Sequence, residues 1–85
     1  MSNFDVIESL FSELAIAAGS ELSESERAEI QSFIDVGEYG VALETAVDIY
    51  AEEKKIPSAE VVTLIEKLAL EMSMEPESVL RRFAA

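Results

Sequence analysis

No cysteine and no histidine occur anywhere in the chain. The first absence removes disulfides, a thiolate nucleophile and zinc–thiolate ligation; the second removes the commonest general base and metal ligand. Carboxylate pairs on helix faces remain, but solvated helices carry these in any case. A chain of 85 residues can hardly enclose the cleft that glycosidase-like carboxylate chemistry needs. No Asp-x-Asp-x-Asp-Gly loop offers a calcium site and no glycine-rich phosphate loop is present. The expectation is a protein that is not an enzyme and uses no cofactor and no metal. Small secreted domains more often carry disulfide staples. The segment MSNFDVIESLF has carboxylates where a signal peptide needs positive charge, and no apolar run approaches the roughly 18 residues of a membrane span. A cytoplasmic location with no membrane contact is the expected setting.

Positive charge is also scarce. Eighteen carboxylates face six basic residues, for a net charge of -12. The imbalance is uneven along the chain: -3 over residues 1–20, -9 over 21–53, where Arg27 is the only base, and 0 over 54–85. Self-repulsion on this scale opposes compaction and disfavours nucleic-acid phosphates and anionic membranes as ligands. A chain of this length buries only about 63% of its unfolded surface. The stability expected is a few kcal/mol, on the order of the low end for natural domains.

Apolar residues recur at helical spacing throughout. Phe4, Ile7, Leu10, Phe11 and Leu14 define a first helix to Ala18, with Gly19 as its stop. Ser23 and Glu26 form a capping box that opens a second helix, with Ala28, Ile30, Phe33 and Ile34 inward and Gly37 as its stop. A third runs from Tyr39 to Lys54, before Pro57 forbids continuation. Ser58 caps a fourth, with Val61, Val62, Ile65, Leu68, Ala69 and Met72 as its stripe, and Pro76 opens a short last helix over Glu77–Phe83. No sustained period-two pattern competes. The fold class read from this is all-α: a compact bundle of four to five short antiparallel helices forming a single domain, 1–85.

Helix three carries the most information. At 100° per residue, Tyr39, Leu43, Ala46, Val47 and Tyr50 gather on one side, and Glu44, Asp48 and Glu52 form an i, i+4, i+8 column roughly 150° away. Such stacked like charges cost a helix roughly 0.2 to 0.5 kcal/mol per pair. Glu52 and Glu53 also sit toward the helix C-terminus, where the macrodipole disfavours anions. Local rules are broken in this way mainly at functional surfaces, although a solvated outward face is the plainer reading. Glu38 and Tyr39 lie in a glycine-flanked turn beside this column; the helical phase of Tyr39 suits a core anchor, while tyrosine at an exposed turn suits an interface. Val41 and Ile49, aliphatic residues near the acidic face, could form the apolar centre of such an interface or ordinary surface.

The stretch Phe33-Ile34-Asp35-Val36-Gly37-Glu38-Tyr39-Gly40-Val41-Ala42-Leu43-Glu44, continuing through Asp48 and Val61 to Met72, resembles MafI-type and related CdiI-type immunity proteins of bacterial polymorphic toxin and contact-dependent growth inhibition systems. The resemblance spans about half the chain. It implies a small helical protein that binds and neutralises a cognate toxin domain, commonly an EndoU-type RNase. Asp35, Gly37, Glu38, Tyr39, Gly40, Leu43 and Glu44 match the motif, without showing which of them touch toxin. The candidate partner-binding residues are therefore Asp35, Glu38, Tyr39, Glu44, Asp48 and Glu52, and the expected partner is a cognate basic toxin domain rather than a nucleic acid. Two rivals remain: an acidic adaptor or nucleic-acid mimic for another basic protein, and an acyl-carrier-like protein. The second would need an Asp-Ser-Leu-like attachment serine; Ser9-Leu10 lies inside helix one, and Ser58 follows Pro57.

Overall fold

The computed structural model describes residues 4–83. Among the described residues five α-helices follow one another: α1 (Phe4–Ala18), α2 (Glu24–Asp35), α3 (Tyr39–Glu52), α4 (Ala59–Glu71) and α5 (Pro76–Leu80). Short 3-10 turns at Gly19–Glu21 and Arg81–Phe83 follow α1 and α5, and no strand occurs among the described residues.

The helix starts are set locally. Ser23 Oγ accepts the Glu26 N–H at 3.1 Å while the Ser23 N–H donates to Glu26 Oε1 at 2.9 Å, completing the reciprocal box that opens α2. At α4, Ser58 Oγ accepts the Val61 N–H at 3.2 Å. The stops share one design. After α2, α3 and α4 the chain enters the left-handed region for one residue, and two amides turn back onto the last carbonyls. Glu38 N–H reaches Phe33 O at 2.8 Å, Lys55 N–H reaches Tyr50 O at 2.9 Å, and Met74 N–H reaches Ala69 O at 2.7 Å. The left-handed residue is Gly37 in the first case, but Lys54 (φ 54°) and Ser73 (φ 58°) in the other two. Lys54 therefore lies beyond α3, not inside it as the sequence suggests: Glu52 ends the helix before Pro57 is reached.

Two central helices form the core. In α3, Ala42, Leu43, Ala46 and Val47 are wholly buried, and in α4 so are Val61, Ile65, Leu68 and Ala69. α1 packs mainly on α4 through Ile7, Leu10, Phe11 and Leu14, while α2 packs on α3. α5 lies against α4 and, through Val79, closes the far end. The molecule measures 37 × 27 × 19 Å, so its thin dimension is roughly two helices deep. Among the described residues, no polar or charged residue is buried and no buried side-chain nitrogen or oxygen lacks a partner.

Several sequence expectations need revision. Ala28 is exposed, and Ile30 is the only buried residue of α2. The two lie about 160° apart around the helix, so both cannot face the core. Leu64 is buried although the expected α4 stripe omits it, while Val62 and Met72 are only half-buried. The last helix begins at Pro76 and gives way to a 3-10 turn at Arg81. Gly40 lies within α3 with nothing near the position of a Cβ, so only Gly37, at φ +77°, serves the turn.

Candidate functional site

The least buried helix, α2, is a ridge with a groove on each flank. On one flank, Glu26 and Glu29 of α2 face Asp48, Glu52 and Glu53 at the C-terminal half of α3, with Thr45 and Ile49 between them, around a groove of about 370 Å³. Five carboxylates thus converge where two helices meet. Lys55 Nζ lies 3.6 Å from Glu26 Oε1, and the Arg82 guanidinium pairs with Asp48. Both ion pairs are partly open to solvent, where such contacts are worth roughly 0 to 1 kcal/mol. Among the described residues, Glu29, Glu52 and Glu53 have no ion-pair partner. The Ser23 backbone N–H holds the Glu26 carboxyl below the usual range, with Lys55 acting in the same direction against desolvation.

The six sequence-derived candidates do not form one cluster. Asp48 and Glu52 belong to the α2/α3 groove, and Glu44 is exposed elsewhere on α3. Asp35 lines the other flank of α2 with Glu8, Phe11, Ser12, Gln31 and Ile34, and accepts from Gln31 Nε2 at 2.8 Å. Tyr39 is half-buried: its ring packs 5.6 Å from Phe4 and 6.5 Å from Phe11, and its hydroxyl donates to Glu8 Oε2 at 2.6 Å. That hydrogen bond, helped by burial and by the charges of Glu8 and Asp5, raises the phenol above its ordinary pKa. Tyr39 thus ties α3 to α1 and is satisfied within the chain. Glu38 is exposed at the N-cap of α3, and its side chain makes no capping hydrogen bond.

Sequence reasoning missed Glu26 and Glu29 as groove members, as well as both compensating cations, and marked Glu53 only as an anion at the end of helix three. Glu26 and Glu29, three residues apart on a helix that opens with a capping box, were visible as a one-sided acidic stripe. Ile49, half-buried, sits within the groove as its apolar element, whereas Val41 lies outside it. No group of carboxylates among the described residues is arranged to hold a metal ion. Ser58, the serine at a helix start, has its hydroxyl engaged as the α4 cap.

Fold and groove together define an acidic helical bundle with a two-helix carboxylate cleft, and no described helix is long and apolar enough to cross a membrane. Comparison with protein-family models, curated proteins and solved structures found no match to this chain.

Proposed function

We propose that the chain is an immunity protein: it binds a cationic toxin domain, of which an EndoU-type RNase is the leading class, and neutralises it by covering its basic surface. The observation that carries this reading is the convergence of Glu26, Glu29, Asp48, Glu52 and Glu53 on one groove. A nuclease must present positive charge to RNA phosphates, and a carboxylate groove is complementary to that surface. Opposite fields steer association toward about 10⁸ to 10⁹ M⁻¹s⁻¹ at low salt. Desolvated carboxylate–guanidinium pairs then slow dissociation. An ordinary interface of about 800 Å² per partner would cover roughly 15% of the 5222 Å² surface. No chemistry from this chain is required. The resemblance of Phe33–Glu44 to MafI-type and CdiI-type proteins adds the toxin class to what the charge alone supports.

The test is an RNA-cleavage assay on a basic nuclease domain that copurifies with this protein, with and without stoichiometric excess of the protein. Inhibition that weakens as salt rises from about 50 to 200 mM is the expected result. The combined change Glu29→Lys, Glu52→Lys and Glu53→Lys should raise the melting temperature, because like-charge repulsion is relieved, yet weaken binding at least tenfold. Equal affinity of the triple variant and the wild type rejects the groove as the binding surface.

A further inference from the structure

The other flank of α2 carries a different kind of groove. Because α1 packs on α4 and α2 on α3, the two helices hardly touch each other. The gap between them is a half-open groove of about 430 Å³, with a predominantly apolar lining that includes Phe11, Leu14, Leu22, Ala28, Ile30 and Ile34. That volume lies in the range of side-chain and ligand pockets, and it is too small for a whole helix. Glu24 and Gln31 also line it. Phe11, Gln31 and Ile34 are shared with the adjoining pocket that contains Glu8 and Asp35, so the apolar floor continues into a second pair of carboxylates. None of Glu8, Glu24 and Asp35 is in an ion pair among the described residues.

The lining and the charge select the occupant. An anionic amphiphile would meet Glu24 at the opening and the field of a chain at -12. Arg27, the one cation of the lining, has its guanidinium turned to the carbonyls of Ala15, Gly19 and Leu22. A second copy of the chain would bring the same negative charge. We infer that the α1/α2 groove receives one or two aliphatic or aromatic anchor side chains of a cationic amphipathic helix, whose lysines or arginines meet Glu24 at one end and Glu8 and Asp35 at the other. Helix-in-groove recognition uses anchors at i and i+3 or i+4, which fits a groove of this volume. The inference rests on the reading of the protein as a binder of a basic partner, and it adds a second contact. Residues of α2 that line the two grooves, Ala28 and Gln31 against Glu26 and Glu29, point in mean directions about 160° apart around the helix, with individual pairs roughly 100° to 160° apart. The partner therefore grips α2 from both sides.

Three synthetic helical peptides of about 14 residues, roughly four turns, test this by amide chemical-shift mapping of the labelled full chain. They are a leucine–lysine amphipath, a leucine–glutamate amphipath and a serine–lysine control. The leucine–lysine peptide is expected to shift Ala15, Ala28 and Gln31 and to bind at least tenfold more tightly than the leucine–glutamate peptide. Ala28→Trp fills the groove from an exposed position and should weaken that binding at least tenfold, leaving the serine–lysine contact at Glu29 and Glu52 unchanged. Gln31→Trp serves as the second variant if a thermal melt shows Ala28→Trp to be poorly folded. Lysine peptides that shift only Glu29 and Glu52, with Ala15, Ala28 and Gln31 unmoved, overturn the anchor site and leave the basic-partner reading standing. No shift from either lysine peptide overturns both. Equal binding of the leucine–lysine and leucine–glutamate peptides also overturns the inference.

Discussion

Residues 4–53 and residues 54–83 share one hydrophobic core but handle their basic residues in opposite ways. In the first region the sole base, Arg27, points inward. Its Nη1 donates to Ala15 O at 3.0 Å, Nη2 to Gly19 O, and Nε to Leu22 O at 3.4 Å, which places a positive charge on carbonyls from the last turn of α1 through the connection to α2. The acidic region therefore gains almost no surface neutralisation from its own base. In the second region two cations reach back across the fold, Lys55 to Glu26 and Arg82 to Asp48. The lesson is that net charge counted along a chain does not map onto surface potential. An arginine turned toward backbone carbonyls acts as structure, and one at a groove rim acts as a counter-ion that a partner's cation can displace.

The largest expected effect sharpens that contrast. Arg27→Met keeps the aliphatic stem but removes every hydrogen bond to the α1 end; with charged hydrogen bonds at about 1.5 to 3 kcal/mol each and water able to replace part of them, a loss of about 2 to 3 kcal/mol is expected. Arg82→Met removes a rim pair whose two side chains are 43% and 39% exposed, so screening holds the loss to roughly 0 to 1 kcal/mol. Urea denaturation of both variants checks the difference. Equal losses would break the distinction between an inward and a rim arginine.

A second effect, of about 1 to 1.5 kcal/mol, separates the carboxylates that the fold uses from those left for a partner. Tyr50 is 1% exposed, and its hydroxyl donates to Glu21 Oε1 at 2.6 Å. Burial first, and then the hydrogen bond and charge of Glu21, push its pKa far above the ordinary value of 10.0. The folded state thus favours the neutral phenol. The stability it contributes is fully present below pH 10 and is lost as the pH climbs from there toward the raised folded value. Tyr50→Phe should cost its hydrogen bond at pH 7 and flatten the stability profile above pH 10. Denaturation at neutral and at alkaline pH measures both; an alkaline loss as steep in the variant as in the wild type would place the titrating group elsewhere.

How much of this could be read in advance depended on distance along the chain. The Ser23–Glu26 box, the Ser58 cap and the α1 stripe from Ile7 to Leu14 are encoded within a few residues, and each is found where the sequence places it, whereas Phe4, the first member expected of that stripe, is exposed. The inward face of α3 was legible for the same reason, since Leu43, Ala46, Val47 and Tyr50 are separated by helical steps. The groove was only half legible. Asp48 and Glu52 stand out as stacked charges, but Glu26 and Glu29 join them through the pairing of α2 with α3, which no local pattern reports. Arg82 reaches Asp48 across 34 residues, and Tyr39 finds Glu8 across 31, contacts set by tertiary packing alone. The motif from Phe33 to Glu44 looked like one surface; the structure splits it, with Tyr39 turned to α1, Asp35 beside the apolar groove and Glu44 left in solvent.

The smallest expected effect returns to the helix stops, where the two regions differ again. α2, in the acidic region, ends on Gly37, which takes a left-handed backbone without penalty. α3 and α4 end at the last third with Lys54 and Ser73 in the same conformation, where a Cβ opposes it by about 1 to 2 kcal/mol. Glycine also gives the unfolded chain more freedom, which offsets part of the relief. Lys54→Gly and Ser73→Gly are each expected to gain about 0.5 kcal/mol, and their sum should be additive because they end different helices. Lys54 carries no ion pair that the change would remove among the described residues, although the loss of its charge makes the chain more negative. Ser73→Gly leaves the charge untouched, so it isolates the backbone contribution. A gain at position 73 with none at 54 would mean that one positive charge beside the acidic groove is worth as much as a relaxed helix end.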